Sequence, residues 1–190
     1  MKIGNDAKVK EMVTEIENTK NDKTKVIVLT TGGTIDKVYD EFDGSLQNRQ
    51  SQIKKMLLSK LRLPYTELEV ISILAKDSLN ITDYDRSLIV QSIEKQMQKG
   101  HPIMVIHGTD TMAKTARFCF ENIKDPLVPI VFTGAMRPLG FVDSDAFQNV
   151  TEALLVSKIL PNDIYISFHN RVFKVPNVKK NQLTKTFECT

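Results

Sequence analysis

Two threonine-rich segments hold the residues whose types could do chemistry. The run TTGGT occupies residues 30–34, and the run HGTDT occupies residues 107–111. A threonine hydroxyl is a weak nucleophile at its ordinary pKa, so it needs a base or a proton relay beside it. A tetrahedral intermediate also needs backbone N–H donors, which glycine-containing turns supply. Together with an aspartate and a lysine, these segments favour acyl transfer through a hydroxyl group.

The motifs of the common alternative active sites are missing from the sequence. It contains no Gly-x-Ser-x-Gly elbow, no His-Glu-x-x-His pair and no Cys-x-x-Cys. The glycine pair also differs from a dinucleotide fingerprint and from a phosphate-binding loop, which need more glycines or a Gly-Lys-Ser/Thr ending. Cys119 and Cys189 have no metal or redox spacing and are expected to be reduced thiols. We therefore predict no metal and no cofactor.

The apolar pattern predicts strands that alternate with helices. Short apolar runs typical of buried parallel strands occur at residues 26–29, 68–74, 102–107, 129–133 and 164–168. Helical patterns lie at residues 51–61, from Thr82 onward, at 111–122 and at 144–160. The sequence therefore predicts an α/β fold with an open, mainly parallel sheet flanked by helices. Ligands of such sheets bind beyond the carboxyl ends of the strands, which both threonine-rich segments follow.

The length favours one domain with a short N-terminal extension. A chain of 190 residues, 41% of them hydrophobic, can bury one full-sized core but not two. Apolar residues recur at helical spacing within the charged segment 6–20. We expect residues 1–24 to form a leader helix and linker, and residues 25–190 to form the α/β domain. Residues 36–50, rich in Gly, Asn and Asp, are expected to form an irregular, mobile loop that can close over a site.

Composition and charge narrow the range of partners. The net charge of +3 arises from 26 basic and 23 acidic residues mixed along the chain, whereas nucleic-acid binders usually concentrate Lys and Arg on one face. No apolar run approaches the roughly 20 residues of a membrane-spanning helix, and the N-terminus is too polar for a secretory signal. We therefore expect a soluble, cytoplasmic protein that binds neither nucleic acid nor membrane.

The two threonine-rich segments resemble the signature segments of the bacterial-type L-asparaginase family. Residues 31–35 and 107–112 carry this resemblance. It continues in the family's order through residues 77–78, 133–138 and 177–181, and so covers nearly all of the chain from Lys25 to Glu188. The resemblance implies a fold like the N-terminal domain of asparaginases.

The resemblance also implies a catalytic set of four residues. Thr34 matches the family's nucleophilic threonine, and Thr109 with Asp110 matches the Thr-Asp pair of the second signature. Counting on from residues 170–173, the family's lysine falls on Lys180. Either Thr34 or Thr109 can form an acyl-enzyme in principle, and the resemblance favours Thr34.

A substrate-binding set follows from the same resemblance. Ser78 matches the family's substrate-binding serine, with Asp77 beside it. Gly33 and Gly108 are the backbone positions expected to contact the substrate. Tyr39, within the segment after the first signature, corresponds to the family's loop tyrosine.

The implied function is hydrolysis of the side-chain amide of L-asparagine to aspartate and ammonia. One alternative keeps this chemistry and changes the substrate to glutamine, a D-amino acid amide or a small peptide amide. Another is a non-catalytic amino-acid-binding module, because typical members continue into a second domain and this chain resembles the short, single-domain members. We also expect a homo-oligomer, at least a dimer, in which a neighbouring subunit shields the site.

Overall fold

The structure is a computed structural model of the chain and describes residues 23–33, 37–40, 45–48 and 60–190. The predicted leader helix at 6–20 lies outside the described residues. So does most of the predicted crossover helix at 51–61. Side chains between residues 37 and 48 are likewise outside the description.

The described residues contain ten strands, which form one large sheet and two small ones. In chain order they are β1 (Thr24–Gly32), β2 (Lys37–Asp40), β3 (Ser45–Asn48), β4 (Thr66–Lys76), β5 (Ile103–Ile106), β6 (Ile130–Thr133), β7 (Ile164–Phe168), β8 (Arg171–Lys174), β9 (Val178–Asn181) and β10 (Thr186–Cys189). The large sheet has the order β4-β1-β5-β6-β7-β8. Its first five strands are parallel, and β8 is antiparallel to β7. The predicted open, mainly parallel sheet is confirmed.

Helices cover the two faces of the large sheet. Within the described part of the chain they are α1 (Asp83–Met97), α2 (Met112–Asn122) and α3 (Ala146–Ser157). Thr82 caps α1 in a capping box with Asp85, as the sequence predicts. Each of these helices begins within two residues of its predicted start.

The strand sequences explain why the sheet is covered on both faces. In β1, Ile27 and Leu29 belong to the core formed with α1 and α2, whereas Val26 and Val28 belong to the core formed with α3. This alternation follows from the two-residue period of a strand. Because both faces are packed, β5, β6 and β7 read as continuous apolar runs and are buried at every position.

The structure differs from the sequence prediction over residues 36–50. We predicted an irregular loop there, but β2 and β3 form an antiparallel hairpin in which Lys37 pairs with Asn48. The intervening segment contains the Asp43-Gly44 pair, a strong hairpin signal that the loop interpretation overlooked. The prediction of an irregular segment is therefore wrong for the described residues of this stretch.

The C-terminal part of the chain adds three strands that the sequence analysis did not predict. His169 and Asn170 both have positive φ, at 47° and 61°, and reverse the chain in two residues between β7 and β8. The basic run at 178–181 then forms β9, paired antiparallel with β10. A strand sends successive side chains to opposite sides, so the neighbouring lysines 179 and 180 face different surroundings.

No helix among the described residues is long and apolar enough to cross a membrane. The longest of these, α1, has 15 residues.

Candidate active site

Two glycines bring the turns after β1 and β5 into backbone contact. A Cβ added to Gly33 would lie 2.5 Å from both Cα and N of Gly108, and Gly33 has a φ of 96°. A Cβ on the preceding Gly32 would lie 2.6 Å from the backbone N and O of Lys76, at the end of β4. Only glycine permits this approach and this backbone conformation. The two threonine-rich segments therefore meet at the carboxyl ends of adjacent strands.

Three of the four predicted catalytic residues come together at this edge. The Nζ of Lys180 donates to Oγ1 of Thr109 at 2.9 Å and to Oδ1 of Asp110 at 2.7 Å. Thr109 and Asp110 follow β5, whereas Lys180 lies on β9, 70 residues from Asp110 along the chain. A single amine thus bridges a hydroxyl and a carboxylate.

Burial distinguishes Lys180 from its neighbours in the basic run. Its side chain is 12% exposed, whereas that of Lys179 is 59% exposed and pairs with Glu188 at 3.4 Å. Thr109 is 2% exposed. An amine held out of water between two acceptors can exchange a proton with the hydroxyl it contacts. Lys179 has the position of an ordinary surface lysine.

The predicted substrate-binding residues after β4 lie against the same turn. Ser78 is buried, and its Oγ would lie 2.6 Å from a Cβ added to Gly108. The backbone carbonyl of Ser78 accepts a hydrogen bond of 2.7 Å from the Thr111 hydroxyl. The Asp77 carboxylate accepts the backbone N–H of Leu79 at 3.0 Å and caps the 3₁₀ turn of Ser78–Asn80. Ser78 therefore lies beneath Gly108, and Asp77 shapes the segment that carries it.

Two predicted site residues fall wholly or partly outside the described residues. Thr34 lies outside them, directly after Gly33. Tyr39 lies on β2, but its side chain is outside the description. Their proposed roles rest on the sequence resemblance.

A second polar network, missed in the sequence, lies at the ends of β6 and β7. The Asp145 carboxylate accepts the backbone N–H groups of Met136 and Arg137 at 3.0 Å, and the amide of Asn149 at 2.8 Å. It also lies 2.9 Å from Nε2 of His169. Burial alone would raise the pKa of Asp145, but these donors outweigh it and hold the pKa below its usual range. In the sequence, an aspartate at the start of a predicted helix was the feature that could have indicated this network.

This network attaches the β9–β10 hairpin to the large sheet. Nδ1 of His169 lies 3.1 Å from the hydroxyl of Thr186 on β10, and Phe187 packs edge-on against Phe168 with ring centroids 5.1 Å apart. Phe187 is the residue that pairs with Lys180 across the hairpin. The contacts of His169 therefore help to set the position of the lysine.

The described residues contain no group of three or more His, Cys, Asp or Glu side chains placed to hold a metal ion. The contacts of Lys180, Thr109 and Asp110 suit proton transfer, which these side chains can perform themselves.

Comparison with known proteins identifies similar sequences over most of the described fold. A family model described as asparaginase, N-terminal, matches residues 25–189. The L-asparaginase of Thermococcus kodakarensis is 30% identical over 156 residues, which are 82% of this chain and 47% of that protein. L-asparaginase 1 of Escherichia coli K12 is 30% identical over 162 residues, 80% of this chain and 46% of that protein. The chain spans about half the length of these curated relatives.

Solved structures show the same correspondence. The thermostable L-asparaginase of T. kodakarensis superposes with a TM-score of 0.79 at 29% identity, covering 87% of this chain and 51% of that one. A probable cytoplasmic L-asparaginase of Campylobacter jejuni superposes with a TM-score of 0.72 at 26% identity, covering 88% of this chain and 52% of that one. The fold of this chain therefore corresponds to about half of each of these asparaginases.

Proposed function

Because the chain belongs to the asparaginase family through its match to the N-terminal domain, we propose that it is an amidohydrolase. Its substrate is the side-chain amide of L-asparagine, and its products are aspartate and ammonia. The reaction passes through an acyl-enzyme on a threonine. We also propose that the protein is cytoplasmic.

The reaction needs one nucleophile, one proton relay and one set of carbonyl-polarising donors. The Thr34 hydroxyl attacks the amide carbon, and its proton passes through the relay to the nitrogen that leaves as ammonia. Breakage of the C–N bond leaves an ester on threonine. Water then hydrolyses this ester, which releases the carboxylate product and restores the hydroxyl. Backbone N–H groups of the glycine-containing turns stabilise the oxyanion in both steps.

One observation carries the proposal: the Lys180 amine contacts both the Thr109 hydroxyl and the Asp110 carboxylate. Asp110 keeps the amine in place, and Thr109 is the group with which it exchanges a proton.

Ammonia release from a panel of amides tests this function. The purified chain is incubated with L-asparagine, L-glutamine, D-asparagine and a dipeptide amide, and kcat/KM is compared across the panel. We expect release from L-asparagine that disappears in Thr34→Ala. If kcat/KM is highest for glutamine or another amide, the proposed chemistry stands and that amide replaces L-asparagine as the proposed substrate. Release from none of the amides would contradict the enzymatic proposal.

A non-catalytic amino-acid-binding module is the second candidate. In this alternative the fold and the amino-acid site are kept without turnover. Calorimetry with aspartate separates the two. Heat of binding without any ammonia release from asparagine would favour the binding module.

A further inference from the structure

His107 is a buried histidine two residues before Thr109 of the proposed relay. It is 0% exposed and precedes Gly108 and Thr109 in the turn after β5. Its Nδ1 lies 2.8 Å from the backbone carbonyl oxygen of Gly108. A carbonyl oxygen only accepts hydrogen bonds, so Nδ1 must carry the proton that is donated. The ring is therefore held as the Nδ1–H tautomer.

The other ring nitrogen of His107 is an acceptor without a partner among the described residues. Nε2 is fully buried and has no hydrogen bond there, and the same holds for the Nε–H donor of Arg86 on α1. Arg86 is 2% exposed. Burial, with a smaller contribution from the Arg86 charge, lowers the pKa of His107 to about 4. At neutral pH the ring is uncharged, and this leaves Nε2 with a free lone pair.

The hydrogen bond to Gly108 fixes the direction of the next N–H group. The Gly108–Thr109 peptide is trans, so its carbonyl oxygen and its N–H point in opposite directions. With the carbonyl turned toward the His107 ring, the Thr109 N–H is turned away from it. That N–H has no backbone acceptor among the described residues, and it belongs to the same residue whose hydroxyl contacts Lys180.

We propose that His107 is a positioning residue for amide hydrolysis, holding the Gly108–Thr109 peptide so that the Thr109 N–H and hydroxyl face the reacting carbonyl together. This inference rests on the proposed function for its kinetic consequence. Its structural content, the Nδ1–H tautomer and the peptide orientation, holds independently of which amide is cleaved.

Substituting His107 with asparagine or glutamine separates positioning from simple core packing. The Asn amide nitrogen branches from Cγ as Nδ1 does and can donate to Gly108, whereas the Gln amide lies one bond further out, near the place of Nε2. Losing an oxyanion donor costs about 10²–10³-fold in kcat. For His107→Gln, which misdirects the donor without removing it, we expect a loss of about 10-fold with little change in KM. His107→Asn should recover most of that loss.

Equal kcat values for His107→Asn and His107→Gln would overturn the inference, provided that the wild-type chain is active. Nitrogen NMR of the His107 ring gives a second measurement that needs neither activity nor a folded variant. We expect the signals of a neutral Nδ1–H ring that stay unchanged from pH 8 down to about pH 5, given the pKa of about 4. An Nε2–H ring or a charged ring at neutral pH would overturn the inference. Absence of ammonia release by the wild type, with the expected NMR signals, would contradict the proposed function alone.

Discussion

At the scale of single residues, two adjacent lysines have very different surroundings. Lys180 is nearly buried and donates to a hydroxyl and a carboxylate, whereas Lys179 forms an exposed pair with Glu188. Exposed pairs contribute about 0–1 kcal/mol to stability. Burying an amine costs more than that unless its donors are satisfied, and here Thr109 and Asp110 supply the acceptors.

Thr34→Ala should remove turnover while leaving the fold and aspartate binding nearly intact, because deleting a single hydroxyl usually costs little stability. Ammonia release, urea denaturation and aspartate calorimetry measure the three effects. Thr184→Ala is a matched control, since Thr184 is exposed in the turn between β9 and β10. Full activity in Thr34→Ala would contradict Thr34 as the nucleophile and indicate Thr109 instead.

At the scale of elements, α1 is held at its start by Asp85, which links the helix to the end of β4. The carboxylate of Asp85 accepts the backbone N–H of Thr82 at 2.8 Å and the amine of Lys76 at 2.7 Å. These contacts, with the Lys76 hydrogen bond the largest, lower the pKa of Asp85 to about 2. Because the folded-state pKa lies below the ordinary value of 3.8, the stabilisation is present above about pH 4 and is lost as the pH falls toward 2.

Asp85→Asn should therefore lower the free energy of unfolding by about 1 kcal/mol at pH 7, the usual scale of a lost helix cap. The loss should be smaller at pH 3. Urea denaturation at both pH values measures it, with Glu94→Gln as the control because Glu94 is exposed on the same helix. An equal loss at pH 7 and pH 3, or an equal loss in Glu94→Gln, would contradict the pKa-based account.

Sequence patterns predicted the strands that are recognisable from their own residues. They did not predict the strands that depend on pairing with other strands. Buried parallel strands read as apolar runs, so β1, β4, β5, β6 and β7 were found. The strands β8 and β9 contain Arg171, Lys174, Lys179 and Lys180, and their exposed or basic residues hide the strand pattern. Tertiary pairing determines these strands more strongly than their own propensity does.

The same distinction applies to the site. Matching Lys180 to the family motif required an alignment, because nothing in the run 178–181 by itself separates one lysine from the next. The contacts of Asp145 and His169 form where the connection between β6 and α3 meets the turn between β7 and β8, and no single segment reveals them. By contrast, the glycines at 33 and 108 could be read locally as turn residues near a ligand.

At the scale of the whole molecule, Lys180, Thr109 and Asp110 lie at the carboxyl ends of the parallel strands. We propose that a second copy of the chain covers this edge and shields the reaction from water. Sedimentation of the active protein should show at least a dimer. A fully active monomer would contradict this proposal.

Folding brings Lys180 across 70 residues into contact with Thr109 and Asp110, and we propose that these three residues act as a proton relay. Lys180→Met keeps an unbranched side chain of similar length and removes the amine. Lys179→Met makes the same change one position away on the opposite side of β9. The most direct measurement is kcat for ammonia release from the preferred amide in these two variants. We expect a loss of about 10²-fold or more in Lys180→Met, the scale of general acid–base catalysis, with a smaller change in KM and almost no effect in Lys179→Met. An unchanged kcat in Lys180→Met would contradict the relay.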